Sequence, residues 1–115
     1  MSNLLKAFHV TANFFGKYEK LVVEQVIPYQ EKALRDEIPE AEKSHAGENF
    51  RQAAKVLAEG KCDGEFYGMV FQDSDVAKWL EAAAYSLVNY PDKELEARVD
   101  DIIDLIGSAQ QADGY

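Results

Sequence analysis

Residues 71–82 (FQDSDVAKWLEA) join an acidic, polar turn directly to a segment with helical spacing that carries the single tryptophan, Trp79. After this turn, apolar side chains recur every three or four residues, in the order Val76, Trp79, Leu80, Ala83, Ala84 and Leu87. This spacing matches the 3.6-residue helical period and predicts a helix over residues 75–90 with one apolar face. A face of this kind is typical of a helix in a packed helical protein.

Three other segments show the same helical spacing. They are residues 15–37, 49–58 and 92–110. Pro28 lacks a backbone donor and predicts a kink or break near Val26 and Ile27, whereas Gly60 is expected to end the helix over 49–58. Only a very short turn separates the segments over 75–90 and 92–110, so the last two helices are expected to pack as an antiparallel hairpin. Residues 7–13 alternate weakly and predict a short strand. The fold class is nevertheless all-α, with one long glycine-rich loop over residues 60–71.

Length and charge limit the functions available to the chain. Its 115 residues allow one small domain, and 47% hydrophobic residues indicate a packed protein. The formal net charge of −9 disfavours binding to nucleic acid or to an anionic membrane surface. No apolar run is long enough to span a bilayer, and residues 1–10 lack the features of a signal peptide. Together with the lone thiol of Cys62, these features favour a cytoplasmic location.

The cluster of Asp73, Ser74 and Asp75 has two interpretations. These residue types are preferred helix N-caps, because their side-chain oxygens accept hydrogen bonds from the unpaired amides of the first turn. Alternatively, the turn faces a ligand at the mouth of a cavity. A calcium loop is disfavoured, since the further ligands that such a loop needs do not follow. Most other acids, including Glu31, Asp36, Glu94, Glu96, Asp100 and Asp101, are expected on solvent-facing sides of helices.

The glycine-rich loop carries aromatic residues beside polar ones. Phe66, Tyr67 and Phe71 precede Gln72 and Asp73, a mixture that suits sugar binding, although anchoring of the loop to the core would explain it equally well. Cys62 has no nearby base or second cysteine and is interpreted as an inert thiol. His9 and His45 are too far apart for a zinc spacing. His45 lies in a polar connection and is either a surface residue or part of a site.

Several long phrases of the sequence resemble one enzyme family. They are residues 26–30 (VIPYQ), 43–46 (KSHA), 65–76 (EFYGMVFQDSDV), 78–82 (KWLEA) and 109–115 (AQQADGY). In this order, over most of the chain, they resemble the N-terminal part of the catalytic domain of the bacterial β-L-arabinofuranosidases, glycoside hydrolase family 127. The resemblance implies the first helices of an (α/α)6 barrel, truncated here. It also implies removal of terminal β-L-arabinofuranosyl residues from oligosaccharides by the full-length enzyme.

The resemblance further implies a retaining mechanism, with a glutamate acid/base and a cysteine nucleophile held on zinc by three cysteines and a glutamate. No residue of this chain matches those motifs, so we expect residues 1–115 to be a partial catalytic domain without catalytic residues, metal ligands or activity of its own. Candidate substrate-binding residues are Phe71, Gln72, Asp73, Ser74 and Asp75, with His45 in the same region.

An alternative is a stand-alone helical interaction module derived from such an enzyme. In that case, the apolar stripes Val76–Leu87 and Leu95–Ile106 would be buried between chains. Either way, a few helices of a barrel leave apolar faces uncovered, so we expect the isolated chain to be weakly stable or to self-associate.

Overall fold

A computed structural model describes residues 5–115, and these residues form five α-helices. We label them α1 (Asn13–Leu21), α2 (Ile27–Leu34), α3 (Ala46–Glu59), α4 (Gln72–Asn89) and α5 (Lys93–Ala109). A 3₁₀ turn, Leu5–Ala7, precedes them. The all-α prediction is confirmed, and no strand occurs in the described part of the chain. Residues 1–4, which belong to the segment examined for a signal peptide, lie outside it.

The strand predicted for residues 7–13 is wrong. Residues 8–11 are irregular, and Phe8 and Val10 are 69% and 49% exposed. An alternating pattern produces a strand only where a neighbouring strand accepts its backbone hydrogen bonds. Residues 5–115 provide no such neighbour.

The irregularity that was predicted as a kink or break near Val26 and Ile27 is present as a π-helical turn. A π-helical turn, Val22–Val26, separates α1 from α2, and the Ile27 amide donates to the carbonyl of Val22, five residues earlier. Pro28 follows as the second residue of α2. Because proline has no amide hydrogen for the carbonyl four residues before it, the wider turn accommodates the missing bond.

The end of α3 follows the predicted signal, and a side-chain cap marks the start of α5. Gly60 ends α3 with a left-handed φ of +68°, which a residue without a side chain adopts without strain. Asp92 is the N-cap of α5, where its carboxylate accepts hydrogen bonds from the amides of Glu94 and Leu95. Residues 90–92 connect α4 to α5, and the two helices pack against each other. The predicted helical hairpin is therefore present.

The core lies between α2, α4 and α5. Its buried members are Ile27, Trp79, Ala83, Leu95 and Val99, with Leu34, Leu80, Leu87 and Ile102 packed around them. The apolar stripes of α4 and α5 are thus used within the chain, and not between chains as the interaction-module alternative requires. Two apolar residues of the neighbouring helix surfaces, Leu57 of α3 and Ile103 of α5, are 47% and 52% exposed.

Glu31 is buried, which corrects its assignment to a solvent-facing side. It is 7% exposed, and its two carboxylate oxygens accept hydrogen bonds from Nε of Arg35 at 3.1 Å and Nε of Arg98 at 3.0 Å. Both oxygens thus have a charged donor, as a buried carboxylate requires. The pair with Arg98 also joins α2 to α5.

The helix α1 presents apolar side chains to solvent. Phe14, Phe15 and Tyr18 are each more than half exposed, and their rings contact one another at centroid distances of 5.1–5.3 Å. Leu21 and Val22 continue this surface. Among the described helices, none is both long and apolar enough to cross a membrane.

Candidate functional site

The loop between α3 and α4 exposes five apolar side chains that are close together in the sequence. Phe66, Tyr67, Met69, Val70 and Phe71 are between 49% and 92% exposed. Neighbouring apolar side chains with this much exposure mark a surface that contacts a ligand, a partner or another part of a protein. In the described part of the chain, Phe66, Tyr67 and Phe71 are not buried in the core, so sugar binding and anchoring of the loop against a further part of the protein both stay predictions.

The acidic cluster at the start of α4 does not form the predicted N-cap. The helix begins at Gln72, three residues earlier than predicted, and the capping position falls on Phe71 without a side-chain cap. The amides of Gln72 and Ser74 donate instead to the carbonyls of Met69 and Phe71. These tight backbone turns satisfy amides that a side-chain cap would otherwise bind. Asp73 and Asp75 lie in the first turn, where negative charge remains favourable.

The three residues of this acidic cluster have separate partners. Ser74 Oγ donates to the carbonyl of Phe71 at 2.6 Å, and Asp75 accepts a hydrogen bond of 2.8 Å from Lys78 Nζ. Asp73 instead accepts a hydrogen bond of 3.3 Å from the side-chain amide of Asn49 on α3. Of the three residues, Asp73 is therefore the one whose side chain is joined to the neighbouring helix.

Gln72 binds back onto the aromatic loop. Its Oε1 accepts a hydrogen bond of 2.7 Å from the amide of Met69. The side chain lies over Gly68, where an added Cβ would be 1.4 Å from the same oxygen. Gly68 also has a φ of +96°, so only glycine suits this position. Gln72 therefore holds the end of the loop against the start of α4.

His45 lies beside the same loop. It adopts a left-handed φ of +53° at the start of α3, and its amide donates to the carboxylate of Asp36 at 3.1 Å. The amide of Ser44 donates to the same carboxylate at 2.6 Å. The imidazole of His45 contacts the ring of Tyr67 at a centroid distance of 4.1 Å. Asp36 is thus half-buried in the α2–α3 connection and not on a fully solvated helix face.

Asn49 connects the aromatic loop beside His45 with the start of α4. Its Nδ2 donates to the Tyr67 carbonyl at 3.0 Å, and its Oδ1 accepts from the Tyr67 amide at 3.2 Å. Through Tyr67 and Asn49, the structure brings His45 and Asp73 into one cluster. Neither Asn49 nor Asp36 was predicted from the sequence as a site residue. A usable signal was the spacing of Asn49 four residues after His45, which places both on one side of a helix.

The described residues do not fit the family's zinc site. Between residues 5 and 115, no group of three or more His, Cys, Asp or Glu side chains converges. Cys62 is the single cysteine of the chain, is exposed, and donates its thiol hydrogen to the carbonyl of Gly64. A site built from three cysteines and a glutamate has no counterpart among these residues.

Comparisons with known proteins agree with the fold and with the motifs. The family model described as β-L-arabinofuranosidase, GH127 catalytic domain, matches residues 7–115. A non-reducing end β-L-arabinofuranosidase from Bifidobacterium longum subsp. longum is 47% identical over 118 aligned residues, which cover 92% of this chain. The crystal structure of a GH127 β-L-arabinofuranosidase from Geobacillus stearothermophilus superposes with a TM-score of 0.84 at 59% identity, over 93% of this chain.

The relatives are much longer than this chain. The matched regions span 17% of the Bifidobacterium protein and 16% of the Geobacillus structure. The five helices therefore correspond to the helical N-terminal part of a GH127 structure, as expected for a truncated (α/α)6 barrel.

Proposed function

This chain belongs to the GH127 β-L-arabinofuranosidase catalytic-domain family, and from that membership we propose that it forms the N-terminal part of a glycosidase's catalytic domain. The complete enzyme hydrolyses terminal β-L-arabinofuranosyl residues of oligosaccharides. The observation that carries this proposal is the family match over residues 7–115, which is supported by 59% identity to a solved β-L-arabinofuranosidase. The domain boundary, residues 1–115 as a partial catalytic domain, is part of the same proposal.

Within that enzyme, we propose that the chain supplies one wall of the substrate cleft. Phe71 is 57% exposed at the end of the aromatic loop, and Gln72 and Asp73 follow it directly. An aromatic face packs on the C–H face of a sugar, while amides and carboxylates bind its hydroxyl groups. His45 belongs to the same wall because its ring contacts Tyr67. Ser74 and Asp75 contribute at its edge.

We propose that the 115-residue chain does not hydrolyse glycosides by itself. Retaining hydrolysis needs an acid/base and a nucleophile on opposite sides of the scissile bond. The sole cysteine lies on an exposed loop, and the family's zinc ligands have no match in the sequence. Oligosaccharide is the proposed partner of the complete enzyme, and the formal charge of −9 disfavours nucleic acid as a ligand. We also propose a cytoplasmic location, supported by the lone exposed thiol of Cys62 and testable by cell fractionation.

A segment-exchange enzyme tests the proposal. In this protein, residues 7–115 of the chain replace the homologous segment of the Geobacillus β-L-arabinofuranosidase, to which the chain is 59% identical. We expect hydrolysis of a chromogenic β-L-arabinofuranoside with a kcat/KM within about tenfold of the parent enzyme, because the exchanged segment carries the same wall of the cleft. A folded exchange enzyme without activity would contradict the proposed function. The 115-residue chain alone, assayed in parallel, is expected to show none.

A further inference from the structure

We infer that Asn49 is a positioning residue that fixes the aromatic loop against the start of α4 and so sets the shape of the sugar-binding wall. This inference rests on the proposed function, since it concerns the same wall. Asn49 lies on α3 and reaches two other segments, the loop at Tyr67 and the first turn of α4 at Asp73. No other hydrogen-bonding side chain of the described residues joins all three segments.

The side-chain amide of Asn49 binds both backbone polar groups of Tyr67, as a residue of a neighbouring β-strand would. The Asn49 amide group accepts from the Tyr67 amide at 3.2 Å and donates to the Tyr67 carbonyl at 3.0 Å. Both backbone polar groups of one loop residue are thereby satisfied by one side chain. Because the loop has no regular secondary structure of its own, this pair of bonds holds the backbone of Tyr67 against α3.

Two candidate site residues depend on that placement. The Tyr67 ring contacts the imidazole of His45, and Asn49 Nδ2 also donates to Asp73 Oδ1, at a nitrogen–oxygen distance of 3.3 Å. The nearby bond from the Met69 amide to Gln72 Oε1 then fixes the last turn of the loop. Displacement of Tyr67 is therefore expected to change the relative positions of His45, Phe71 and Asp73.

Asparagine has the chemistry that this position requires. Its short side chain carries one acceptor and a nitrogen with two donor hydrogens, which match the Tyr67 amide, the Tyr67 carbonyl and the Asp73 carboxylate. Aspartate has the same size but has no donor when ionised. In Asn49→Asp, an oxygen would face the Tyr67 carbonyl and the Asp73 carboxylate, and both contacts would become repulsive. This isosteric change separates hydrogen bonding from packing volume.

The test uses the segment-exchange enzyme with Asn49→Asp and Asn49→Ala, and with Arg51→Ala as the matched control. Arg51 lies two residues further along α3, where its side chain is 60% exposed and pairs with Glu48. We expect KM for the chromogenic arabinofuranoside to rise about tenfold in both Asn49 variants, with kcat within about twofold, because a displaced loop loses one or two contacts with the substrate and each such contact contributes about two- to tenfold to binding. Arg51→Ala is expected to retain the KM of the unsubstituted exchange enzyme.

Amide hydrogen exchange provides a second readout that does not depend on activity. Mass spectrometry of peptides covering residues 60–71 is expected to show exchange at least about tenfold faster in Asn49→Asp, with peptides of α5 unchanged. If Asn49→Asp exchanges and binds substrate as the unsubstituted enzyme does, the inference is wrong. Faster loop exchange with unchanged KM, or a fall in kcat at constant KM, overturns it as well. An inactive unsubstituted exchange enzyme contradicts the proposed function instead, and this result is distinguishable from all the others.

Discussion

The indole nitrogen of Trp79 donates a hydrogen bond of 3.0 Å to the backbone carbonyl of Ile27, 52 positions earlier in the sequence. Both residues are 2% exposed. Ile27 is the first residue of α2 and directly follows the π-helical turn. The bond therefore fixes α4, which begins with the candidate site residues, to the point where the first helical segment changes its geometry.

Replacement of Trp79 by phenylalanine is expected to lower the free energy of unfolding of the chain by about 2–3 kcal/mol. The variant leaves a buried carbonyl without its indole donor and also removes side-chain volume from the core. Urea titration followed by circular dichroism at 222 nm measures the change. Tyr85→Phe, which removes an exposed hydroxyl that bonds to Glu81, is the control and is expected to change stability by at most about 0.5 kcal/mol. Equal effects of the two substitutions would contradict the structural role of this bond.

Glu31→Gln is expected to destabilise the chain by about 1–3 kcal/mol. The substitution removes the carboxylate charge that binds both Arg35 and Arg98. Hydrogen bonds to charged groups contribute about 1.5–3 kcal/mol to stability. The partial exposure of both arginines to solvent lowers this contribution. The same urea titration applies, with Glu96→Gln on the exposed side of α5 as the matched control. If Glu31→Gln is as mild as Glu96→Gln, the Glu31 ion pairs do not contribute to stability.

Gly68→Ala and Gly107→Ala are expected to have opposite effects. At Gly68 the φ of +96° strains any side chain, and the new Cβ must displace Gln72 Oε1, so we expect a loss of about 1–2 kcal/mol. Gly107 lies within α5, and nothing is within 4 Å of its added Cβ. Alanine there is expected to raise stability by about 0.5–1 kcal/mol, because glycine is the weaker helix former. Thermal denaturation of both variants measures the difference, and a change of the same sign would contradict the geometry assigned to the loop.

The isolated 115-residue chain is expected to be weakly stable or to self-associate. Phe14, Phe15 and Tyr18 form an apolar surface on α1 that the chain leaves uncovered. Analytical ultracentrifugation and a thermal scan test this, and Tyr18→Ser is expected to reduce association whereas Lys17→Ser is not. A monomer with a cooperative transition above about 60 °C would contradict the expectation, because that lies near the upper limit for ordinary domains.

The helices could be predicted from sequence because their signals are local. The spacing of Trp79 and Ala83, the glycine at position 60 and the proline at position 28 act within one or two turns, and the buried stripe of α4, the end of α3 and the helix irregularity before α2 follow from them. The predicted strand over residues 7–13 failed because strand formation depends on a distant partner that the pattern does not reveal.

The details of the site were harder to predict because they depend on contacts between distant segments. Asp73 was expected to cap its own helix, yet it binds Asn49, 24 positions away. Glu31 was expected to be solvated, yet it is neutralised by Arg98, 67 positions away. Residue types at the start of a helix favour a cap, but they do not show that tight backbone turns at Gln72 and Ser74 already use those amides. The position of Phe71 and Gln72 at the end of the aromatic loop could be predicted, because Phe71 is the last residue of the loop and Gln72 follows it directly in the chain.

The most direct test of the proposed substrate wall is the kcat/KM of the segment-exchange enzyme carrying Asp73→Ala or Gln72→Ala. We expect each substitution to lower kcat/KM for a β-L-arabinofuranoside by about tenfold or more, because each removes a polar group from the wall. Asp100→Asn on the exposed side of α5 is the control and is expected to leave kcat/KM unchanged. If Asp73→Ala and Gln72→Ala both match the unsubstituted exchange enzyme, these residues serve only to hold the loop and α4 together, and the proposed cleft wall is wrong.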